Sequence, residues 1–156
     1  MIEIAIPGFG KLELTDLVCD YNGTLALDGA LLEGARTRLP RLRDSVRIHV
    51  ITGDTFGTAS AQLSGLPCAV VLLPAHEQAA AKERFVGELG ADHVVAIGNG
   101  RNDRLMLAAC ALGVGVGGTE GIAAETIAAC DVVVPDIGAA LELLLETKRL
   151  VASLRS

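Results

Sequence analysis

Short apolar runs recur along the chain, separated by helix-length segments. They are LVC before Asp20, VRIHVI before Thr52, CAVVLL before Pro74, HVVAI before Gly98, LGVGV from Leu112 and DVVV from Asp131. Runs this short and this largely apolar suit strands covered on both faces. Alternation with helical segments is the pattern of βαβ units, so the expected class is α/β: a three-layer, Rossmann-like parallel sheet with helices on both sides. Aromatic residues are scarce, with three Phe, one Tyr and no Trp, so Val, Leu, Ile and Ala must build the core.

Ahead of this pattern, IEIAIP and KLEL alternate apolar and polar residues around PGFG, which predicts an N-terminal β-hairpin with one wet face. Its second arm is expected to run on into LVC. Helices are expected over 31–43 (with Pro40 as a possible early stop), 55–64, 76–89 closed by Gly90, 101–111, 119–129 and 137–153. No linker, repeat or low-complexity stretch interrupts the 156 residues, so 1–156 reads as a single domain. The GVGVGG stretch lacks the strand–GxGxxG–helix context of a dinucleotide site, and close backbone packing is its expected role.

A net charge of −6 disfavours nucleic acid and anionic membrane surfaces. No apolar run is long enough to span a bilayer, and the first residues lack a basic region, so a cytoplasmic location is expected. Cys19, Cys68, Cys110 and Cys130 form no CxxC pair and read as small buried hydrophobes. His49, His76 and His93 fit no metal spacing.

In an open α/β sheet, ligands collect at the carboxyl ends of the strands. Asp20-Tyr21-Asn22-Gly23-Thr24, Thr52-Gly53-Asp54 and Gly98-Asn99-Gly100 fall there, with Asn102 and Asp103 opening the next helix and Lys82 on the helix before. A carboxylate, a hydroxyl, an ammonium group and amide oxygens converging on one crevice suit a phosphate with a hard metal ion. Asp54 reads as a helix N-cap or loop residue rather than a catalyst.

These segments resemble the four motifs of the haloacid dehalogenase (HAD) superfamily: DYNGTLA, VITGD, AAAKE and GNGRND, in order. They are most similar to the phosphorylation domain of P-type ATPases, and the resemblance runs from about Asp16 to the C-terminus. It implies a Mg²⁺-dependent phosphohydrolase acting through an aspartyl-phosphate. Asp20 would be the nucleophile, and its carboxylate and the Asn22 carbonyl would ligate Mg²⁺. Gly23 would permit the tight turn and Thr24 would shape the loop. Thr52 and the Gly53 amide would bind phosphate oxygens, with Asn102 nearby. Lys82 would balance the charge of Asp20 and the phosphoryl group. Asn99 occupies the position of a metal-ligating Asp, and Asp103 would support the metal.

Two departures from the motifs bear on rate. Many phosphatases of the superfamily carry Asp two residues after the nucleophile, as general acid and base; here that residue is Asn22, which carries no proton at neutral pH. Such assistance is typically worth roughly 10²–10⁴-fold. Asn99 in place of Asp weakens the attraction for a cation. Both Asn residues precede Gly, a step prone to deamidation. Asp20 to Thr52 spans 32 positions and Thr52 to Lys82 spans 30, neither with room for a folded cap. The site is therefore expected to be open, suiting a phosphorylated macromolecule or a homo-oligomer that supplies its own lid. A second reading of the same residues is a phosphate- and Mg²⁺-binding regulatory or partner-binding module with weakened chemistry. A third is an interaction partner of a metal transporter.

Overall fold

In the computed structural model, residues 1–53 and 57–156 are described. The expected Asp54 and the first residues of the 55–64 helix lie outside or at the edge of these. The chain opens with β1 (Ile2–Ile6) and β2 (Gly10–Leu14), an antiparallel hairpin that buries Ile2, Ile4, Ile6, Leu12 and Leu14 on one face. β3 (Asp16–Asp20) follows, then the two-residue strands β4 (Ala26–Leu27) and β5 (Ala30–Leu31), α1 (Glu33–Leu42) and β6 (Arg47–Thr52). The rest is α2 (Thr58–Gln62), β7 (Ala69–Leu72), α3 (Gln78–Leu89), β8 (Val94–Gly98), α4 (Arg104–Ala109), β9 (Leu112–Val116), α5 (Ala124–Ala129), β10 (Val132–Val134), α6 (Ile137–Leu145) and α7 (Thr147–Leu154).

The main sheet has the order β10-β9-β8-β3-β6-β7, and every neighbouring pair is parallel. Side chains alternate across it. Leu17 and Cys19 of β3 and Val95 and Ile97 of β8 join the larger core, under the hairpin, α1 and α6. Val18, Val94 and Ala96 face the opposite way, onto Val86 of α3 and Met106 and Leu107 of α4. Two residues beyond Val18, Asp20 inherits the α3–α4 side. The chain runs outward from β3 to β6 and β7, then crosses back to β8 on the other flank. That reversal opens a crevice between the carboxyl ends of β3 and β8.

Several boundaries differ from expectation. The hairpin's second arm does not continue into LVC as one strand. At Thr15 the chain changes partners: its N–H donates to His93 O (2.9 Å) and its carbonyl accepts from Arg47 N (2.9 Å), moving the backbone from β1 to the central sheet. Pro40 does not end α1; buried Leu39 and Leu42 hold the last turn against the core. The long C-terminal helix is two, broken at Glu146 (φ −120°, ψ 68°), which lets α7 turn and seat Leu150 in the core beside the hairpin. The helix expected over 119–129 forms only from Ala124, because Gly118 and Gly121 take positive φ.

The glycine-rich strand packs as expected. A Cβ on Gly113 would stand 2.5 Å from the Leu107 carbonyl oxygen, and one on Gly115 2.8 Å from Cys130 Sγ. The cysteines are free thiols; burial pushes Cys110 up to about 12 and Cys130 up to about 11. His76 is exposed, whereas His93 Nδ1 lies 2.8 Å from the Glu13 carbonyl oxygen.

At the amino end of β3, Asp16 is fully buried and accepts from Thr15 Oγ1 (2.8 Å) and Arg47 (2.7 Å), with His49 Nε2 at 2.7 Å. Burial alone would raise its carboxyl, but these hydrogen bonds outweigh it and hold the group below the ordinary value of 3.8. A depressed carboxyl contributes stability that is present above that ordinary value and lost as pH falls through the folded one. Asp16→Asn should therefore flatten the acid limb of stability below about pH 4, as measured by urea unfolding across pH 2–6.

Candidate active site

Asp20 ends β3 and enters a tight loop. The Tyr21 carbonyl accepts from Leu25 and Ala26 N–H (both 3.0 Å), and Gly23 N–H donates to Ala26 O (2.8 Å). Gly23 takes φ +79°, a conformation that glycine adopts without strain. The loop returns the chain into β4 and β5, whose Asp28–Gly29 turn has positive φ at both residues, the two-residue hairpin geometry of an Asp-Gly pair. Tyr21 OH donates to Gly29 O (2.9 Å) and ties this turn over the crevice.

Beneath the crevice lies a buried ion cluster. Lys82 Nζ donates to Asp20 Oδ1 and to Asp103 Oδ1, each at 2.6 Å. The Lys82 and Asp103 side chains are 1% and 0% exposed, so the cluster is sealed from below. Asp103 is fixed on its other oxygen by the N–H groups of Asn99 (3.0 Å) and Gly100 (2.9 Å). Thr24 Oγ1 lies 3.2 Å from Asp20 Oδ2 and 3.1 Å from Asn99 Oδ1, and its one proton serves either. Burial, then the charge of Asp103, pushes the Asp20 carboxyl up to about 7, against the opposing pull of Lys82 and Thr24. Burial lowers the Lys82 ammonium, but the two carboxylates outweigh it and raise the group overall.

A cavity of about 600 Å³ opens above this cluster. Among the residues singled out in the sequence, Asp20, Asn22, Thr52, Gly53, Asn99 and Asn102 line it, while Gly23, Thr24, Lys82 and Asp103 are not among its lining residues. Gln78, Asp28 and Glu120 also line it and were not read from the sequence. Gln78 sits one turn before Lys82 on α3. It accepts from Asn102 Nδ2 (2.9 Å), and its amide nitrogen fills the place a Gly53 side chain would need. The Asp28-Gly29 pair was a legible hairpin signal. Glu120 was hidden by the helix expected over 119–129, although Gly117, Gly118 and Gly121 bracket it.

Gly98 has as little room. A Cβ there would stand 2.6 Å from Asp103 Cγ. Gly98→Ala should cost about 1–3 kcal/mol and push Asp103 off Lys82, a loss readable by chemical denaturation.

No protein-family model matches the chain. It is 50% identical over 62 residues to the uncharacterized protein MJ0073 of Methanocaldococcus jannaschii, covering 40% of this chain and 67% of that one, and belongs to the same family. Among solved structures, it is similar to a protein described as a HAD superfamily (subfamily III A) hydrolase from Legionella pneumophila. That match has a TM-score of 0.72 at 16% identity and covers 90% of this chain and 87% of the other. The 3-deoxy-D-manno-octulosonate 8-phosphate phosphatase of Moraxella catarrhalis, solved with magnesium, phosphate and KDO, also gives 0.72 at 17% identity, covering 91% and 94%. The chain has the HAD fold. In that HAD fold the described residues of the two stretches between Asp20 and Lys82 hold β4, β5, α1, β6, α2, β7 and the first turn of α3, and the sheet, its flanking helices and the N-terminal hairpin are present as expected. Among the described residues no helix is long and apolar enough to cross a membrane.

The donors at the crevice fit a hard dication, though sparsely. Among the described residues Asp20 Oδ2 meets only the Thr24 hydroxyl and the Asn22 carbonyl accepts no hydrogen bond, while Asn99 Oδ1 is an amide oxygen. Among the described residues no group of three or more His, Cys, Asp or Glu side chains is placed to hold a metal.

Proposed function

We propose that the chain is a Mg²⁺-dependent phosphohydrolase in which an Asp20 carboxylate oxygen attacks phosphorus, the ester P–O bond breaks and the alcohol leaves, and the resulting aspartyl-phosphate is cleaved by water to release phosphate. The observation that carries this reading is the Asp20–Lys82–Asp103 cluster, sealed below and open to the cavity at Asp20 alone. Lys82 favours the carboxylate form of Asp20 against burial and aims it; Asp103 holds Lys82. Thr52 and the Gly53 N–H would receive phosphoryl oxygens, with Gln78 and Asn102 bonded together at the rim to bind the rest of the ester. Asp20, the Asn22 carbonyl and Asn99 would hold the cation. When bound, it supplies the charge neutralisation that phosphoryl transfer requires. The similarity to the Moraxella phosphatase and the P-type ATPase-like motifs both support a phosphorylated substrate.

Asn22 is exposed at the mouth, and its amide can neither protonate a leaving alcohol nor take a proton from an attacking water. Dephosphorylation therefore lacks one proton-transfer group, and the aspartyl-phosphate should be long-lived. This favours, as a second reading, a phosphorylatable regulatory module with little turnover. A panel of phosphate monoesters assayed with and without Mg²⁺ separates the two. Steady Mg²⁺-dependent phosphate release supports the hydrolase. A single stoichiometric turnover supports the module. Neither release nor phosphorylation overturns both.

A further inference from the structure

The cation site described above has one charged ligand, Asp20, and that carboxylate already shares its other oxygen with the Lys82 ammonium. A dication in such a site is poorly compensated. Of the two other carboxylates that line the cavity, Asp28 and Glu120, Glu120 is the one that lies against Gly23 and Asn99. Its Oε2 occupies the place where a Gly23 Cβ would stand, and Asn99 Nδ2 lies 2.8 Å from that same point. Among the described residues Glu120 has no hydrogen bond or ion pair. It is exposed, so its charge needs little desolvation, and it lines the same cavity as Asp20, Asn22 and Asn99.

Glu120 is held there by its loop. Gly117 N–H donates to Val134 O (2.9 Å) and Gly118 N–H to Pro135 O (2.8 Å), anchoring one end to β10. At the other end, Ala123 N–H donates to Asn99 O (3.0 Å) and Asn99 Nδ2 donates to Gly121 O (3.0 Å). The last bond requires an N–H at position 99. A carboxylate there would face the Gly121 carbonyl with no proton to share, and the loop would lose its latch. The amide of Asn99 and the carboxylate of Glu120 are thus two halves of one arrangement. Position 99 gives up its charge to fix the loop, and the loop returns a charge beside it.

Building on the metal-dependent reading of the site, we propose that Glu120 is a ligand or close counter-charge of the bound divalent cation, replacing the carboxylate absent at Asn99. The test is Mn²⁺ affinity of the full chain at neutral pH, followed by the EPR signal of free Mn²⁺, which needs no substrate or turnover. Glu120→Gln should bind Mn²⁺ about tenfold or more weakly than the unaltered chain, as expected for removing one charge near a dication. Its metal-free melting temperature should stay unchanged. Glu120→Asp, with a shorter reach, should fall between. Asn99→Asp should give no gain in affinity despite its added charge. Glu120→Gln binding within twofold of the unaltered chain overturns the inference alone. Tighter binding by Asn99→Asp overturns it as well, by showing the amide is no latch. If the unaltered chain binds no Mn²⁺ at millimolar concentration, the metal-dependent reading falls and takes this inference with it.

Discussion

Asp20→Asn should abolish phosphate-ester hydrolysis and, with no divalent cation present, raise the melting temperature at pH 8. The first effect follows from the proposed role of nucleophile: losing one typically costs on the order of 10⁶-fold in rate. The second follows from the crowding beneath the cavity. Asp20 and Asp103 present two carboxylates to one ammonium, and burial with the Asp103 charge pushes the Asp20 carboxyl up to about 7. Between the ordinary carboxylate range and that value the folded chain binds a proton that the unfolded chain does not. This group therefore lowers stability as pH rises through that window. The amide has no proton to lose and leaves Lys82 with Asp103 alone, so the variant's stability should not fall there. Thermal unfolding with and without EDTA at pH 5 and pH 8 reads this directly. A variant that is both inactive and less stable at pH 8 without metal would show that the cluster's charge has been misassigned.

Lys82→Met should have the opposite stability signature and a smaller, still large, loss of activity. Removing the only cation of a buried cluster leaves Asp20 and Asp103 facing each other, and breaking such a pair typically costs about 3–5 kcal/mol. The loss should be greatest at pH 8 and smaller at pH 5, where one carboxylate takes up a proton. It should shrink again in the double variant with Asp20→Asn, because the two side chains act as one unit and their effects do not add. Turnover should drop by roughly 10²–10³-fold or more through lost charge stabilisation. Lys82→Arg should not rescue it, since a planar guanidinium does not fit where one ammonium reaches two carboxylates at 2.6 Å. Urea unfolding at the two pH values, beside phosphate release, measures all four outcomes.

The sheet and the buried half of the site were legible in the sequence for a common reason. Parallel strands such as VRIHVI and HVVAI are mostly apolar and end in an apolar pair, so their polar successors mark the carboxyl edge, and Asp20, Thr52 and Asn99 had to meet there. Lys82 was legible by its motif, and its parity with Asp20 on the α3–α4 side follows from the alternation around Val18. What escaped depends on turns. Thr15 changes sheet partners without any sequence break. Glu146 splits a continuous helical pattern because Leu150 must reach the core. Glu120 reaches the site only because Gly118 and Gly121 adopt positive φ and Asn99 grips the loop between them. Gln78 was masked in a different way: its position on a helix was evident, but its fit against Gly53 depends on how α3 approaches β6. Side chains delivered by strand ends follow from pattern; those delivered by loops follow from backbone angles and cross-chain hydrogen bonds.

The proposed role of Asp20 is to accept a phosphoryl group. Its most direct test is acid-quenched peptide mass spectrometry after incubation with Mg²⁺ and acetyl phosphate. One added phosphoryl group is expected on the peptide containing Asp20, dependent on Mg²⁺, removed by hydroxylamine and absent from Asp20→Asn. Phosphate release with no adduct on that peptide, or an adduct that persists in Asp20→Asn, would contradict it.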